Sequence, residues 1–216
     1  MDRFQKVEIN RSNENKPSLD NLFVDFDHPN PNINQQAYLN MARYWPKAAI
    51  ERLVKNLNHK DIVIRRKSVK ALGCFGDIAL SPVAKIFLNS QDSIVRISCL
   101  KIFVKIASIE NYESIPKSLE EVIDLSLKDE DPQIILALVS LLRQLDEQGL
   151  PILILISSDE NILRAKAAIT ALGEMNNPSA VKCLKSLLND TSIDKLLWES
   201  VQYSLGNYVD KLDYKP

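Results

Sequence analysis

Apolar residues recur along this chain at the spacing of an α-helix, and the same apolar pattern returns at a regular period. The clearest unit spans 61–92 and contains two apolar helical stretches. In the helix just before it, Ile50, Leu53, Val54 and Leu57 fall at i, i+3, i+4 and i+7, so one face of that helix is predicted to be buried. The pattern predicts a chain built from repeated pairs of amphipathic helices.

The length of each unit can be measured from the residue that ends the small-Leu-Gly step of its first helix. These residues are Ala42, Gly73, Val104, Arg143, Gly173 and Gly206. Their spacing is roughly 30 residues throughout, except for a longer interval between Val104 and Arg143. Units of this length with two helices each are typical of HEAT repeats. We therefore predict an all-α fold, a HEAT-like helical-repeat solenoid of about five to six repeats.

Polar residues dominate both ends of the chain, and the repeats lie between them. We predict a disordered leader at 1–18, a HEAT-like repeat domain at 19–210 and a polar tail at 211–216. The stretch LDNLFVDF after the leader is predicted to form a short helix that caps the first repeat. The last unit is predicted to contribute a single helix that caps the other end.

Three prolines occur at matching places in the first three units, at Pro46, Pro82 and Pro116. Proline lacks a backbone N–H and suits the first position of a helix, so each is predicted to open the second helix of its unit.

Two places depart from the regular repeat. The third unit is about eight residues longer than its neighbours, between Ile106 and Pro116, and this insertion is predicted to form a loop that offers a contact surface. The second helix of the fourth unit, in GLPILILISS, is apolar nearly all round. That helix either lies centrally between its neighbours or exposes an apolar patch to a partner or ligand.

Composition narrows the classes of function. The chain has 27 Lys and Arg against 28 Asp and Glu, so no overall charge attracts nucleic acid. Its longest apolar stretch is far short of the ~20 residues that span a bilayer, and we expect a cytoplasmic protein without a membrane span. Three cysteines without a CxxC pair, together with two distant histidines, predict neither a disulfide framework nor a metal site. Phosphate-binding glycine loops and hydrolase motifs are missing from the sequence, so no catalytic residue is assigned.

The densest positive cluster combines Arg65 and Arg66 with Lys67 and Lys70. Guanidinium groups bind carboxylates through paired hydrogen bonds, so this cluster is a candidate ligand or partner site. Arg65 and Arg96 occupy the same place in successive units, where an arginine either binds a ligand or pairs with an Asp of a neighbouring inter-repeat turn. Arg66 has no such repeated place, and a ligand or partner role stays open for it.

Aromatic and acidic residues supply the remaining candidates. Tyr44 and Trp45 end the first helix of the first unit, where their rings either stack on a flat conjugated ligand or cover the core. Trp198 has the same two interpretations. Glu51 lies between apolar positions of a second helix, where its carboxyl group either donates a proton to a ligand or is simply solvated.

Several motifs go beyond a generic helical repeat. They are DxxxRRKSVKALGxFG at 61–76, SIVRISC at 93–99, HPNPNIN at 28–34 and RYWP at 43–46. Together they resemble the F-type subunits of the E/F-type phycobilin lyases, in particular the phycoerythrin-associated members, and the resemblance covers about residues 20 to 210.

This resemblance implies a function and a set of partners. Such proteins work with an E-type lyase subunit to attach a bilin to, or remove it from, a cysteine of a phycobiliprotein subunit, and some act as chaperones of that subunit. It implies a transient bilin of the phycoerythrobilin type and no permanently bound cofactor. The propionates of that tetrapyrrole would pair with Arg65, Arg66 or Arg96. The fourth unit has Ile135 where Arg65 and Arg96 lie in earlier units, so the basic series is interrupted.

Two other functions are alternatives to this one. A HEAT-repeat interaction scaffold without pigment chemistry fits the repeat pattern alone. DNA binding by a HEAT-like glycosylase fits poorly, because the neutral chain lacks a basic stripe with interleaved aromatic residues.

Overall fold

A computed structural model describes the backbone of residues 16–213 and the side chains of residues 16–206. Within that range the chain is helical and contains no strand. The twelve α-helices are α1 (Leu19–Asp27), α2 (Pro31–Tyr44), α3 (Pro46–Lys55), α4 (Ile62–Leu72), α5 (Asp77–Asn89), α6 (Ser93–Ala107), α7 (Lys117–Leu127), α8 (Pro132–Gln144), α9 (Leu150–Ile156), α10 (Ile162–Glu174), α11 (Pro178–Leu188) and α12 (Lys195–Asp213). Short 3-10 turns follow α3, α4 and α8.

The helices form two layers. Helices α2, α4, α6, α8, α10 and α12 pack side by side in chain order and are called the A layer. The second helix of each unit, from α3 to α11, packs behind it and forms the B layer. Five helix pairs and a sixth, single helix therefore confirm the predicted all-α solenoid of five to six repeats.

An Asp or Asn caps the start of every A-layer helix. The side-chain oxygen of each accepts a hydrogen bond of 2.7–3.0 Å from the backbone N–H two residues later. The caps are Asn30, Asp61, Asp92, Asp131, Asn161 and Asp194. Each satisfies an N–H that the helix itself leaves unpaired, which contributes about 1 kcal/mol. The cap positions have the same spacing as the sequence repeat, so the period corresponds to one capped helix pair.

A continuous apolar core lies between the two layers. Phe87 and Phe103 are fully buried in it, and every helix pair contributes buried side chains. Close approach of the A-layer helices requires small residues at some crossings. A Cβ atom placed on Gly173 of α10 would lie 2.5 Å from the Cβ of Ser204 in α12.

The three predicted proline positions have different outcomes. Pro46 is the first residue of α3, as predicted, and Pro116 immediately precedes α7. The prediction for Pro82 is wrong, because α5 already begins at Asp77 and contains this proline in its second turn. The reason is Gly76, which adopts a φ of 58° and forms the turn before α5, so the helix begins at the next residue rather than at the proline.

The two departures from the repeat are also visible. In α9 the side chains of Leu153 and Ile156 are buried, so the helix packs between its neighbours, whereas Leu155 is exposed and a partner or ligand role for it stays a prediction. The insertion at 108–116 packs back on the preceding unit, because the Tyr112 hydroxyl donates a 2.6 Å hydrogen bond to Asp77 Oδ1. Burial and the Asp77 carboxylate both raise the pKa of Tyr112, so this phenol stays protonated as the donor.

Most of the predicted leader, residues 1–15, lies outside the described residues. Ser18 caps α1 by accepting a 3.2 Å hydrogen bond from the N–H of Asn21. At the other end α12 continues to Asp213, and the rest of the predicted tail lies outside the described residues. Among the helices of residues 16–213, none combines the length and the apolar character needed to cross a membrane.

Candidate functional site

A groove of about 460 Å³ lies on the A layer, between α4 and α6. We call it the α4–α6 groove. Its lining comes from these two helices and from the first turn of α8, and consists of Ile62, Arg65, Arg66, Val69, Lys70, Ile94, Ile97, Ser98, Lys101 and Gln133. Its volume is within the range of small-molecule sites, which is roughly 300–1,000 Å³.

The repeat places matching side chains on the two walls of the groove. Lys70 and Lys101 each lie nine residues after the Asp that caps their helix, and both are exposed. Near the start of the same helices, Ile62 and Ile94 are 47% and 53% exposed. Together with the half-buried Val69 they give the groove an apolar surface that the core does not cover. Surface clusters of this kind mark binding sites more often than single exposed aliphatic residues do.

The charges that line the groove are all positive. Arg65 is partly engaged, because its Nη1 donates hydrogen bonds of 2.6 and 3.0 Å to the carbonyl oxygens of His59 and Lys60. Within residues 16–206, no hydrogen bond or ion pair engages the side chains of Arg66, Lys70 or Lys101. The groove thus offers three cationic groups that lack a protein partner within this part of the chain.

Acidic side chains are also missing from the helices around the groove, apart from the Asp residues that cap their starts. The segments that form α2, α4, α6 and α8 contain no Asp or Glu at all, although the whole chain is nearly neutral. An anion that enters the groove therefore meets no carboxylate on its walls or on the neighbouring helices of the A layer.

This arrangement suits binding rather than bond-making chemistry. An apolar surface flanked by cations fits an amphipathic anion with a flat apolar body. The one hydroxyl among the lining residues, on Ser98, donates a 2.7 Å hydrogen bond to the carbonyl of Ile94. The other polar side chains of the lining are two arginines, two lysines and a glutamine, without a carboxylate or imidazole to activate a nucleophile, so the groove can position a ligand but supplies no catalytic pair of the usual kind.

Two of the six predicted site residues lie in the groove, Arg65 and Arg66. Arg96 lies outside its lining and forms an ion pair with Asp129, in the turn between α7 and α8. The side chain of Arg96 is 11% exposed, and its guanidinium carbon lies 4.6 Å from the centre of the Phe87 ring. This is the pairing with a neighbouring inter-repeat turn that the sequence left open as the alternative to ligand binding.

Tyr44, Trp45 and Glu51 also lie outside the groove. The indole N–H of Trp45 donates a 2.9 Å hydrogen bond to the Pro17 carbonyl, and Lys16 Nζ lies 3.6 Å from the ring centre. Through both contacts, Trp45 binds the segment that precedes α1.

The ring of Tyr44, at the end of α2, is half-buried with Arg43 5.1 Å from its centre. Glu51 is exposed on α3. Binding roles for Tyr44, Trp45 and Glu51 stay predictions.

Sequence reasoning missed Lys101 and Arg164. Lys101 lies one repeat after Lys70, at the same place in its unit, so the repeat itself carried the signal. Arg164 follows the Asn161 cap by three residues, whereas Arg96 follows its cap by four, so the repeat spacing did not show that the two arginines have equivalent roles. Its Nη2 donates a 2.6 Å hydrogen bond to the Leu127 carbonyl, and its Nε lies 2.9 Å from the Asp159 carboxylate.

The stacked helix pairs and their regular spacing identify this protein as a helical-repeat protein. The family described as HEAT repeats matches residues 20–101 and 119–204, and the chain belongs to that family. A designed armadillo repeat protein in complex with the peptide (KR)4 is 18% identical, with 89% of this chain and 100% of that chain covered and a TM-score of 0.46.

Two curated proteins are similar in sequence to most of this chain. The bilin biosynthesis protein CpeZ of Synechococcus sp. (strain WH8020) is 27% identical over 176 residues, which is 79% of this chain and 95% of CpeZ. The uncharacterized phycocyanin operon protein Z of Pseudanabaena tenuis (strain PCC 7409) is 25% identical over 190 residues, 88% of this chain and 94% of that protein. These two similarities confirm the predicted resemblance to bilin-related HEAT-repeat proteins at the level of the family.

Proposed function

We propose that this chain binds a bilin and works as a subunit or chaperone-like partner of a phycobilin lyase, helping to attach that bilin to a cysteine of a phycobiliprotein. The observation that carries the proposal is the α4–α6 groove, an apolar surface beside cations that have no partner within residues 16–206, in a chain related to a bilin biosynthesis protein. The ligand we propose is of the phycoerythrobilin type, and the acceptor is a phycoerythrin-type subunit in the cytoplasm.

The chemistry of this task explains why the groove contains no catalytic pair. The thiol of an acceptor cysteine adds across the ethylidene double bond of the bilin, so that the sulfur forms a thioether and a proton goes to the ring carbon of that bond, and both reacting groups come from other molecules. A helper protein needs only to hold the flexible tetrapyrrole in one conformation, since positioning alone can supply a large part of the rate. In our proposal Arg66 helps to bind the propionates, while Ile62 and Ile94 cover one face of the pyrrole rings.

The groove is open on its outer side, so this proposal includes a second protein. An E-type lyase subunit, or the acceptor subunit itself, would cover the exposed face of the bilin. The water-excluded site that thioether formation favours would then form only in the complex.

The proposal is tested by co-expressing the chain with an E-type subunit, a phycoerythrin subunit and a bilin source. Covalent pigment is measured by zinc fluorescence of the acceptor subunit on a denaturing gel. We expect this chain to increase the attached or soluble pigmented subunit and Arg66→Met to reduce it severalfold, with Lys166→Met, on the A layer outside the groove, as control. No gain over cells that lack the chain would contradict the proposal.

A second function, a HEAT-repeat scaffold without pigment chemistry, is favoured by one specific observation. An aliphatic side chain is exposed two residues after the cap of four A-layer helices, at Val63, Ile94, Leu163 and Leu196, with exposed fractions of 53%, 53%, 64% and 55%. Repeated exposed aliphatic groups at one register position are typical of a protein-binding surface.

The scaffold function is separated from bilin binding by Leu163→Ser combined with Leu196→Ser. Both residues lie outside the groove. If the chain is a scaffold, this variant should lose co-purification with the acceptor subunit and retain its melting temperature. If bilin handling is the function, pigment attachment should depend on Arg66 and persist in this variant.

A further inference from the structure

Lys70 and Lys101 are the two lysines of the groove, and they occupy equivalent positions in successive repeats. Each is exposed, each lies nine residues after its cap, and each side chain lines the same groove from one of two adjacent helices. Neither is engaged by a carboxylate within the described residues. Two equivalent cations that face one apolar groove provide a doubled anion site.

The repeat also fixes the separation of the two lysines. Axes of packed helices lie roughly 8–10 Å apart, so equivalent positions on α4 and α6 are separated by about that distance. The flexible four-carbon stem of lysine can shorten the gap between the two ammonium groups, and an ammonium group accepts carboxylates in many orientations. A single ligand with two carboxylates on one edge can therefore contact both.

Lys70 and Lys101 lie toward one end of the groove, and the exposed Ile62 and Ile94 lie toward the other. Lys70 follows Ile62 by eight residues, which is about 12 Å along a helix axis at 1.5 Å per residue. On α6, Lys101 follows Ile94 by seven residues. The ligand that matches this pattern has its carboxylates toward the lysines and its apolar edge toward the starts of α4 and α6.

We infer that Lys70 and Lys101 bind the two carboxylates of a single ligand, so that the α4–α6 groove selects a tetrapyrrole dicarboxylate over a monocarboxylate or an uncharged ester. This inference rests on the proposed function and adds the chemical feature by which the groove recognises its ligand. It also assigns an orientation, with both propionates at the lysine end of the groove.

The test is a titration of the purified full chain with biliverdin and with biliverdin dimethyl ester, followed by absorbance. Lys70→Met and Lys101→Met remove the charge but keep an apolar stem against the groove. We expect each variant to weaken biliverdin binding about fivefold and the double variant about 25-fold, the upper effect of losing one and two solvent-exposed ion pairs. The ester should bind more weakly than biliverdin and respond little to either substitution.

Lys166→Met is the matched control, because Lys166 is an exposed lysine on α10 and does not line the groove. Circular dichroism checks that every variant is folded. Palmitate, an apolar monocarboxylate, should not displace biliverdin at comparable concentration.

The two levels of the argument fail differently. If the ester or palmitate binds as tightly as biliverdin, or the lysine variants bind normally, the two-carboxylate inference is overturned while bilin binding stands. If wild-type protein binds neither biliverdin nor its ester, the proposed function and the inference fall together.

Discussion

Near the start of four A-layer helices, α2, α4, α6 and α10, different side chains bind the turns between units in different ways. Asn34 contacts three backbone carbonyls, Arg65 contacts two, Arg96 pairs with a carboxylate, and Arg164 combines carbonyls with a carboxylate. Carbonyls at the end of a helix have no partner within it, so a side-chain donor here stabilises the turn. These residues serve the stacking of units, whereas Arg66 has no such partner within the described residues.

Replacing Asn34 should destabilise the N-terminal cap. Its buried Nδ2 donates to the carbonyls of Asp25, Phe26 and His28 at 2.9, 3.0 and 2.7 Å. Asn34→Ala leaves these groups without that donor, and we expect the free energy of unfolding to fall by about 1–3 kcal/mol. Urea denaturation measures this, with Asn32→Ala on the exposed side of the same helix as control. Equal midpoints for the two variants would contradict the assigned role.

The ion pair between Arg96 and Asp129 should be worth more than an exposed pair of the same chemistry. Its side chains are 11% and 15% exposed, against 50% and 89% for Arg52 and Asp20. Arg96→Met strands a largely buried carboxylate, so we expect a loss of about 3 kcal/mol, the lower end for a broken buried pair. Asp129→Asn removes the charge but keeps the oxygen that accepts from the Asp131 N–H.

Double-mutant cycles on the two pairs give the comparison. We expect a coupling energy above about 1 kcal/mol for Arg96 with Asp129 and below that for Arg52 with Asp20. Similar couplings would mean that burial does not strengthen the first pair.

At the scale of the helices, the sequence predicted what depends on local chemistry. Apolar periodicity predicted the helix pairs, because it reflects which face of each helix is buried and repeats within a few residues of the chain. Pro82 misled, since proline is tolerated in a second turn as well as at a helix start, and the choice depended on Gly76. The sequence predicted Arg65 and Arg66 of the groove but not Lys101. Lys101 belongs to the groove only because α6 packs beside α4, the equivalent helix of the preceding unit.

The junction between α8 and α9 should be the least tolerant place for an added methyl group. A Cβ on Gly149 would lie 1.9 Å from the carbonyl oxygen of Leu142, a backbone atom that cannot move aside alone. We expect Gly149→Ala to lower the free energy of unfolding by about 3 kcal/mol, the cost of severe overpacking.

Gly206 provides the opposite case within the same protein. A Cβ there would meet no described atom within 4 Å, and the residue lies inside α12. Gly206→Ala should raise the free energy of unfolding by up to about 1 kcal/mol, because alanine favours the helix. Thermal melts of both variants should therefore shift in opposite directions, and a shared direction would refute the packing argument.

Across the whole molecule, cohesion comes from contacts between successive units. The pairs of α-helices that pack extensively on each other all belong to the same or adjacent units. Such a solenoid behaves as a row of coupled elements, in which a local loss of packing weakens its neighbours first. Helix α1 covers one end of the row through Leu22 and Phe26, and α12 covers the other through Leu197 and Val201.

Truncating a core side chain near one end of the solenoid should therefore destabilise mainly the helices at that end. Phe26 is 2% exposed and contacts the ring of Tyr38, while Leu172 of α10 is fully buried. Phe26→Ala should cost about 3–5 kcal/mol and Leu172→Ala about 2–5 kcal/mol where each side chain packs. Hydrogen exchange followed by mass spectrometry locates the loss. We expect Phe26→Ala to speed exchange in α1–α3 and to spare α10–α12, with Leu172→Ala giving the reverse. Uniform acceleration by either variant would show that the solenoid unfolds as one cooperative unit, and the groove between α4 and α6 would then lose stability with either end.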